Sequence, residues 1–294
     1  MPVAVLLVLC VLFWSGNFII GRYVSGGIDP VQLAMFRWLG AALLMSPLLF
    51  RSYRKIFQAL KSDFIIINVL AILGITMFNT LLYIGLQETT ATNALLINSS
   101  VPIAILVLSF LILKVPIVLK QLIGILLSTF GVVFLIVKGE LLSLHDVQFS
   151  HGDFWVVAAS SSWALYSVLV RFKPKNLSDF EFFTTIVFVG LFWLSIVYFL
   201  MGYSLSEDIV LVKVYYPAFI YISLFTSVLS YYFWHQGIAQ IGANKTGQFT
   251  HLMPLFGAIL AYVFLGETLS FYHIVGAVFI GIGIYLSLFS PTHT

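Results

Sequence analysis

Charge is what this chain has least of. Lys, Arg, Asp and Glu make up 9% of its 294 residues, where a soluble domain carries about 25%. Asp29, Asp63, Glu88, Asp153, Asp179, Glu181, Glu207, Asp208 and Glu267 fall at or near the ends of apolar runs, and Glu140 and Asp146 lie in a linker. No carboxylate stands in the middle of a run, so a cationic solute meets no fixed counter-ion there. An enzyme working inside those runs needs a nucleophile with a base, or a metal cluster, and no Asp, Glu or Cys pair is placed to supply one. Cys10 is the one cysteine and sits in an apolar run, without a partner for a disulfide or a thiolate metal site. The formal net charge of +3 is too small to point to nucleic acid. GANKTG, residues 242–247, lacks the G-x-x-x-x-G-K-[ST] order of a phosphate loop, so ATP is not expected. No cofactor, metal or enzymatic activity is expected.

What the chain has in abundance is apolar sequence, 61% of its residues, with a mean hydropathy of +1.08. This is the composition of a multispanning membrane protein. Cut wherever charges, Pro and Gly interrupt stretches of about 20 apolar residues, the sequence predicts ten spans near 3–22, 31–50, 64–86, 91–113, 119–137, 154–172, 180–201, 215–236, 243–265 and 271–289. Residues 1–11 lack the basic start and small-residue cleavage site of a signal peptide and read as part of a retained first span. Arg51, Arg54, Lys55, Lys61, Lys114, Lys120, Arg171, Lys173, Lys175 and Lys245 fall on one side, against Arg22, Lys138 and Lys213 on the other. The excess predicts a plasma (inner) membrane protein with both termini cytoplasmic.

The two halves repeat. Trp14 and Arg22 in WSGNFIIGR correspond to Trp163 and Arg171 in WALYSVLVR with an offset of 149. After a slip of three residues the offset is 152, pairing Gly85 with Gly237, Ala91 with Ala243, Pro102 with Pro254, Gly124 with Gly276 and Gly131 with Gly283. Residues 1–139 and 152–290 therefore read as duplicate five-span units. Because five is odd, the second enters the membrane inverted, and such halves can exchange conformations around a central site.

WSGNF, FRW at 36–38, YIGLQETTATNALLINSSVP with its counterpart HQGIAQIGANKTGQFTHLMP, and YVFLGETLSFYHIVGAVFIGIGIYL resemble the two EamA-type repeats of the drug/metabolite transporter superfamily. The resemblance covers essentially the whole chain. It implies an all-α integral membrane protein of ten transmembrane helices in two inverted repeats around a central cavity, most similar to the YddG-like exporters of amino acids and other metabolites. One departure is that Glu267 has Val115 at its mirror position.

Candidate substrate-binding residues follow from polar and aromatic side chains inside the spans. Asn98 and Ser99 are the mirror mates of Thr250 and His251, and both pairs stand just before the prolines Pro102 and Pro254, as two walls of one cavity with gating breaks. His251 is also the one mid-span group suited to carry a proton near neutral pH. Trp14, Asn17, Phe18, Trp163, Tyr166 and Ser167 on spans one and six, with Asn79, Tyr83, Tyr231, Trp234 and His235 on spans three and eight, supply an aromatic and amide lining for a flat, partly apolar solute. Arg37, the one charge well inside a span, attracts a substrate carboxylate, snorkels outward or ties neighbouring carbonyls together. Arg22 and Arg171 read as interfacial anchors. Gly124 with Ser128, and Ala277 with Gly281, have the four-residue spacing that lets helices five and ten approach closely. The expectation is a secondary transporter moving small neutral or zwitterionic metabolites by alternating access, outward, as a monomer or homodimer; a membrane-embedded enzyme or carrier acting on lipid-linked substrates is the alternative.

Overall fold

The computed structural model describes residues 1–24, 27–146, 148–265 and 268–290, and their side chains except those of residues 18–19, 21–23, 91–92, 143–144, 146 and 265. Among the described residues there are helices and no strands, as a backbone in hydrocarbon requires, since each N–H and C=O must find its partner within the segment. The α-helices are α1 (Val3–Val24), α2 (Pro30–Ser62), α3 (Phe64–Ala71), α4 (Phe78–Glu88), α5 (Ala91–Asn98), α6 (Val101–Leu113) and α7 (Leu119–Ile136) in the first half. The second half holds α8 (His151–Leu169), α9 (Asp179–Leu200), α10 (Leu205–Tyr221), α11 (Ser230–Gly247), α12 (Met253–Leu265) and α13 (Phe271–Leu288). Eight stretches are long and apolar enough to cross a membrane, and Val3–Asn17 adds a shorter apolar one. One of the eight, Leu205–Phe264, holds the spans expected at 215–236 and 243–265, between which Gly242 turns the chain at φ 80°.

Helix starts are written in polar caps. Asp29 with Gln32 boxes the start of α2, Ser178 with Glu181 that of α9, Ser150 with Asp153 that of α8 and Ser270 with His273 that of α13. Span two is longer than the sequence predicts. The charged run Arg51–Ser62 reads as a linker but continues α2 as helix, because Ile56 and Ala59 recur at helical spacing and are buried.

The element pairings obey a twofold relation. α1 packs on α11 and α12 while its counterpart α8 packs on α4 and α6; α2 meets its own counterpart α9, and α7 meets α13. Each half thus lodges its first helix in the other. The α7–α13 seam runs through Gly124, Ser128 and Gly131 against Gly276, Gly283 and Ser287, where a Cβ on Gly124 or Gly131 would meet the backbone of α13. This corrects the expected pairing, for Gly281 is exposed and has nothing near its Cβ position, and Ala277 adjoins the seam without being buried. The reason is the period: the mirror mates Gly124 and Gly276, Gly131 and Gly283 recur every seven residues, and that heptad line, rather than the four-residue spacing, keeps one face on the partner.

Two further features repeat. α3 passes into α4 through a π-helical segment, Ile72–Met77, and α10 into α11 through another, Ile222–Leu229. The offset of 152 lays the first inside the second. The helices are also interrupted between α5 and α6 at Ser99 and Ser100, and before α12 by a 3-10 turn, Gln248–Leu252. Pro102 and Pro254 fall in the first turn of the helix after each interruption. There the missing N–H is one the helix would leave unpaired anyway, so the prolines start α6 and α12 rather than kink a continuous helix.

Candidate functional site

The predicted residues converge on the relation between the halves. Trp14 and Trp163 are mirror mates and their rings touch edge to face at 5.3 Å. Asn79 and Tyr231 are mirror mates, and the Asn79 amide donates to the Tyr231 hydroxyl at 3.3 Å. Ser99 and His251 are mirror mates, joined by a 3.0 Å contact from imidazole Nε2 to the Ser99 carbonyl. A residue that touches its own mate lies beside the twofold axis. These three pairs therefore trace that axis through the bundle.

Around the axis the aromatic residues are packed together. Trp163 lies 5.4 Å from Trp234, 5.3 Å from Tyr231, 5.2 Å from Tyr166 and 4.7 Å from Phe78, ring centroid to centroid, and Trp14 lies 5.2 Å from Trp234. Such pairs contribute about 0.5–1.5 kcal/mol each beyond their burial. Trp163, Tyr166, Tyr231 and Trp234 are buried, and the centre where the sequence places a cavity is filled in this conformation by its own lining. Trp38, Phe78, Phe183, Trp234 and His235 complete the cluster. The sequence places Trp234 and His235 in the lining beside Tyr231, and the structure adds Trp38, Phe78 and Phe183 to them.

Polar bonds repeat by the same symmetry. The Tyr83 hydroxyl donates to Asn17 Oδ1 at 3.3 Å. At the mirror positions the Tyr166 hydroxyl meets His235 Nε2 at 2.6 Å. The carbonyls at mirror positions 74 and 226, both inside π segments, also have side-chain donors. Tyr231 donates to the Gly74 carbonyl at 2.6 Å, and Trp14 Nε1 and Arg37 Nη2 donate to the Thr226 carbonyl at 3.0 and 3.1 Å. A π turn shifts hydrogen bonding from i+4 to i+5 and leaves backbone groups for other partners, which accounts for both arrangements. Ser167 accepts from Trp234 Nε1 at 3.2 Å, tying α8 to α11.

Arg37 does not snorkel. It is 2% exposed, and its guanidinium reaches the second half through Ser227 Oγ at 2.7 Å as well as the Thr226 carbonyl, and the first half through the Tyr83 hydroxyl at 2.9 Å. The Trp38 ring lies 5.3 Å from the guanidinium carbon. Ion pairs among the described residues are Lys55 with Glu181, His151 with Glu88 and Lys173 with Asp179. Arg37 has none. Sequence pattern could not find Ser227 or Thr226 as its partners, since they lie about 190 residues away and carry no mirror-image charge.

The second polar centre joins the two interruptions. His251 Nδ1 meets Ser128 Oγ at 2.7 Å while Nε2 meets the Ser99 carbonyl. A carbonyl only accepts, so the ring carries a proton on Nε2, and its Nδ1 faces the Ser128 hydroxyl, which also reaches the Gly124 and Ile125 carbonyls. Asn98, Ser99, Thr250, His251 and Pro254, with Leu95, Val132 and Met253, line a small cavity of about 10 Å³. The structure thus brings the residues before the two prolines together, and Met253 of this lining accepts at its carbonyl from Ser15, next to Trp14. Arg171 is exposed at the end of α8. The expectations for the side chains of Phe18 and Arg22, and for Glu267, lie outside the described residues.

Comparison with known proteins accords with this architecture. A model of the EamA-like transporter family matches residues 1–137 and again 150–289. The chain is 31% identical over 274 residues to the uncharacterized transporter YyaM of Bacillus subtilis, covering 93% of this chain and 89% of the relative. An uncharacterized transporter of Archaeoglobus fulgidus is 28% identical over 288 residues, covering 96% of both chains. A solved crystal structure superposes with a TM-score of 0.75 at 15% identity, covering 98% of this chain and 97% of the other, and shows a shared fold.

Proposed function

The chain belongs to the EamA-like transporter family and is a multi-pass membrane transporter, and from that premise we propose that it moves small neutral or zwitterionic metabolites, aromatic amino acids among them, by alternating access. The direction proposed is export from the cytoplasm across the plasma membrane, with the end of the bundle that carries Arg51, Arg54 and Lys55 facing inward, because most Lys and Arg collect there. The observation that carries the reading is the axis: mirror mates touch at Trp14–Trp163, Asn79–Tyr231 and Ser99–His251. Related halves meeting at such an axis can trade conformations, opening the centre to one side and then the other. Aromatic faces and amides then receive a flat solute, and the absence of a mid-span carboxylate among the described residues gives cations no counter-ion.

Counterflow in proteoliposomes tests this. Vesicles preloaded with L-phenylalanine should take up labelled L-phenylalanine faster with the protein than without it, and quaternary ammonium dyes should not compete. Uptake confined to quaternary ammonium solutes would overturn the reading.

A further inference from the structure

Arg37 holds a permanent charge in the interior with no anion beside it. Its three hydrogen-bond partners, Ser227 Oγ, the Tyr83 hydroxyl and the Thr226 carbonyl, are all neutral. They engage three of the guanidinium's five N–H groups. No Asp or Glu oxygen lies within ion-pair distance of it among the described residues. A buried charge without an opposite charge is costly, and a guanidinium cannot escape the cost by losing its proton. The planar fork is built for a carboxylate, which takes two parallel N–H groups at once.

What occupies the fork now is a carbonyl of the second π segment on Nη2 and the Tyr83 hydroxyl on Nη1. Around it the segment is laced by its own hydroxyls, Ser227 and Thr226 to the Ile222 carbonyl and Ser230 to that of Phe225. The mirror carbonyl of Gly74 is held by a neutral hydroxyl, and the stretch Ile186–Val189, which corresponds to Arg37 in the second half, carries no charge. Only one of the two π segments is thus gripped by a cation. Asn17 and Tyr83, bonded to each other, are 9% and 6% exposed beside Trp14 at 8%, so this side of the aromatic cluster retains a trace of access where the Trp163, Tyr231 and Trp234 side has essentially none.

We propose that Arg37 is the carboxylate subsite of the transported solute, and that the Thr226 carbonyl is a placeholder that a bound carboxylate displaces. The inference rests on the aromatic centre being the solute's path. A carboxylate arriving past Asn17 and Tyr83 takes Nη1 and Nη2 as a two-pronged pair. The Tyr83 hydroxyl keeps Asn17, and the Thr226 carbonyl keeps Trp14 Nε1. Binding thereby removes one of the bonds between α2 and the second π segment, leaving Ser227 Oγ on Nε and Ser223 Oγ on the Arg37 carbonyl, while the first segment stays tied to Tyr231, so the anion loosens one half relative to the other. The chemistry selected is an acid with a flat apolar body, amine optional, over its uncharged amide.

The test compares hydrocinnamate with hydrocinnamamide, isosteres that differ in charge, on the purified protein in nanodiscs. Tryptophan fluorescence reads binding, since Trp14, Trp38, Trp163 and Trp234 surround the site. Wild type should bind the acid about tenfold or more tightly than the amide. Arg37→Gln should remove that preference, with the amide affinity little changed. Hydrogen exchange across 222–231 should quicken with saturating hydrocinnamate and not with the amide. Ser227→Ala supplies an independent variant that keeps the cation: its hydroxyl holds Nε, outside the pair that the carboxylate takes, so the acid preference should persist. Equal affinity for acid and amide in wild type, or an acid preference that survives Arg37→Gln, would overturn the proposal; should Arg37→Gln fail to fold, acid binding lost in Ser227→Ala would do so. Acid preference without L-phenylalanine counterflow would uphold the subsite and reject that solute, whereas counterflow without acid preference would do the reverse.

Discussion

Arg37 and His251 are both ionisable, both almost wholly buried and both held by partners from the opposite half, yet one environment is complete and the other is not. A neutral imidazole meets a hydroxyl at Nδ1 and a carbonyl at Nε2, so His251 satisfies every polar atom it has while stapling the two helix interruptions. The guanidinium of Arg37 cannot be neutral and meets neutral acceptors only. The difference separates two roles that look alike in sequence. A group able to shed its charge can serve as a structural bolt in hydrocarbon; one that cannot is retained where a ligand supplies the missing charge.

The largest effect expected is at Arg37. Arg37→Gln should cut counterflow of L-phenylalanine by about tenfold or more while the thermal midpoint holds or rises, since a buried charge without an anion has been removed. A variant that unfolds yet transports per folded molecule at the wild-type rate would turn Arg37 into the bolt. Next comes His251→Leu, which strands the Ser99 carbonyl and should destabilise by about 1–3 kcal/mol in a reversible unfolding titration. His251→Gln can still donate to that carbonyl and should recover most of the loss with exchange within a few-fold of wild type. Ser128→Ala should cost less, about 0.5–1.5 kcal/mol, because the Gly124 and Ile125 carbonyls that its hydroxyl reaches keep their helical partners and His251 keeps the Ser99 carbonyl. Smallest of all is the effect of a pH gradient. With His251 fully bonded as a neutral ring, an imposed gradient should not concentrate L-phenylalanine in vesicles; accumulation lost in His251→Gln would place a proton carrier there instead.

Much of this was legible before the fold was known, and the reason is symmetry. The offsets that pair Trp14 with Trp163 and Ser99 with His251 were readable because duplicated sequence keeps its register, and the structure turns three of those pairs into contacts. The prolines marked the interruptions correctly, though they open helices rather than bend them. The π segments had no such sign. Their sequences, ILGITM and ISLFTSVL, are ordinary apolar helix with small and hydroxyl residues, and what marks them in the fold is tertiary, the Tyr166 ring against Gly74 and Arg37 on the Thr226 carbonyl. Partners of Arg37 were hidden for the same reason. They come from a distant part of the chain, and the repeat offers no mirrored charge to reveal them. The seam of α7 and α13 was placed on the right helices but on the wrong residues of α13, since a four-residue spacing of small side chains is common and the heptad line of buried glycines appears only once both helices are seen together.

The central claim is that the axis marked by touching mirror mates is the solute's path, opened to each side in turn. A single cysteine at position 17, made by Asn17→Cys in a Cys10→Ala background, tests it most directly, because Asn17 borders the aromatic cluster next to Tyr83 and Cys10 lies buried against Ser230. An impermeant thiol reagent should label that cysteine whether applied from inside or outside sealed vesicles, and saturating L-phenylalanine should slow both reactions. Labelling from one side only, or from both sides at rates that the solute leaves unchanged, would contradict the account.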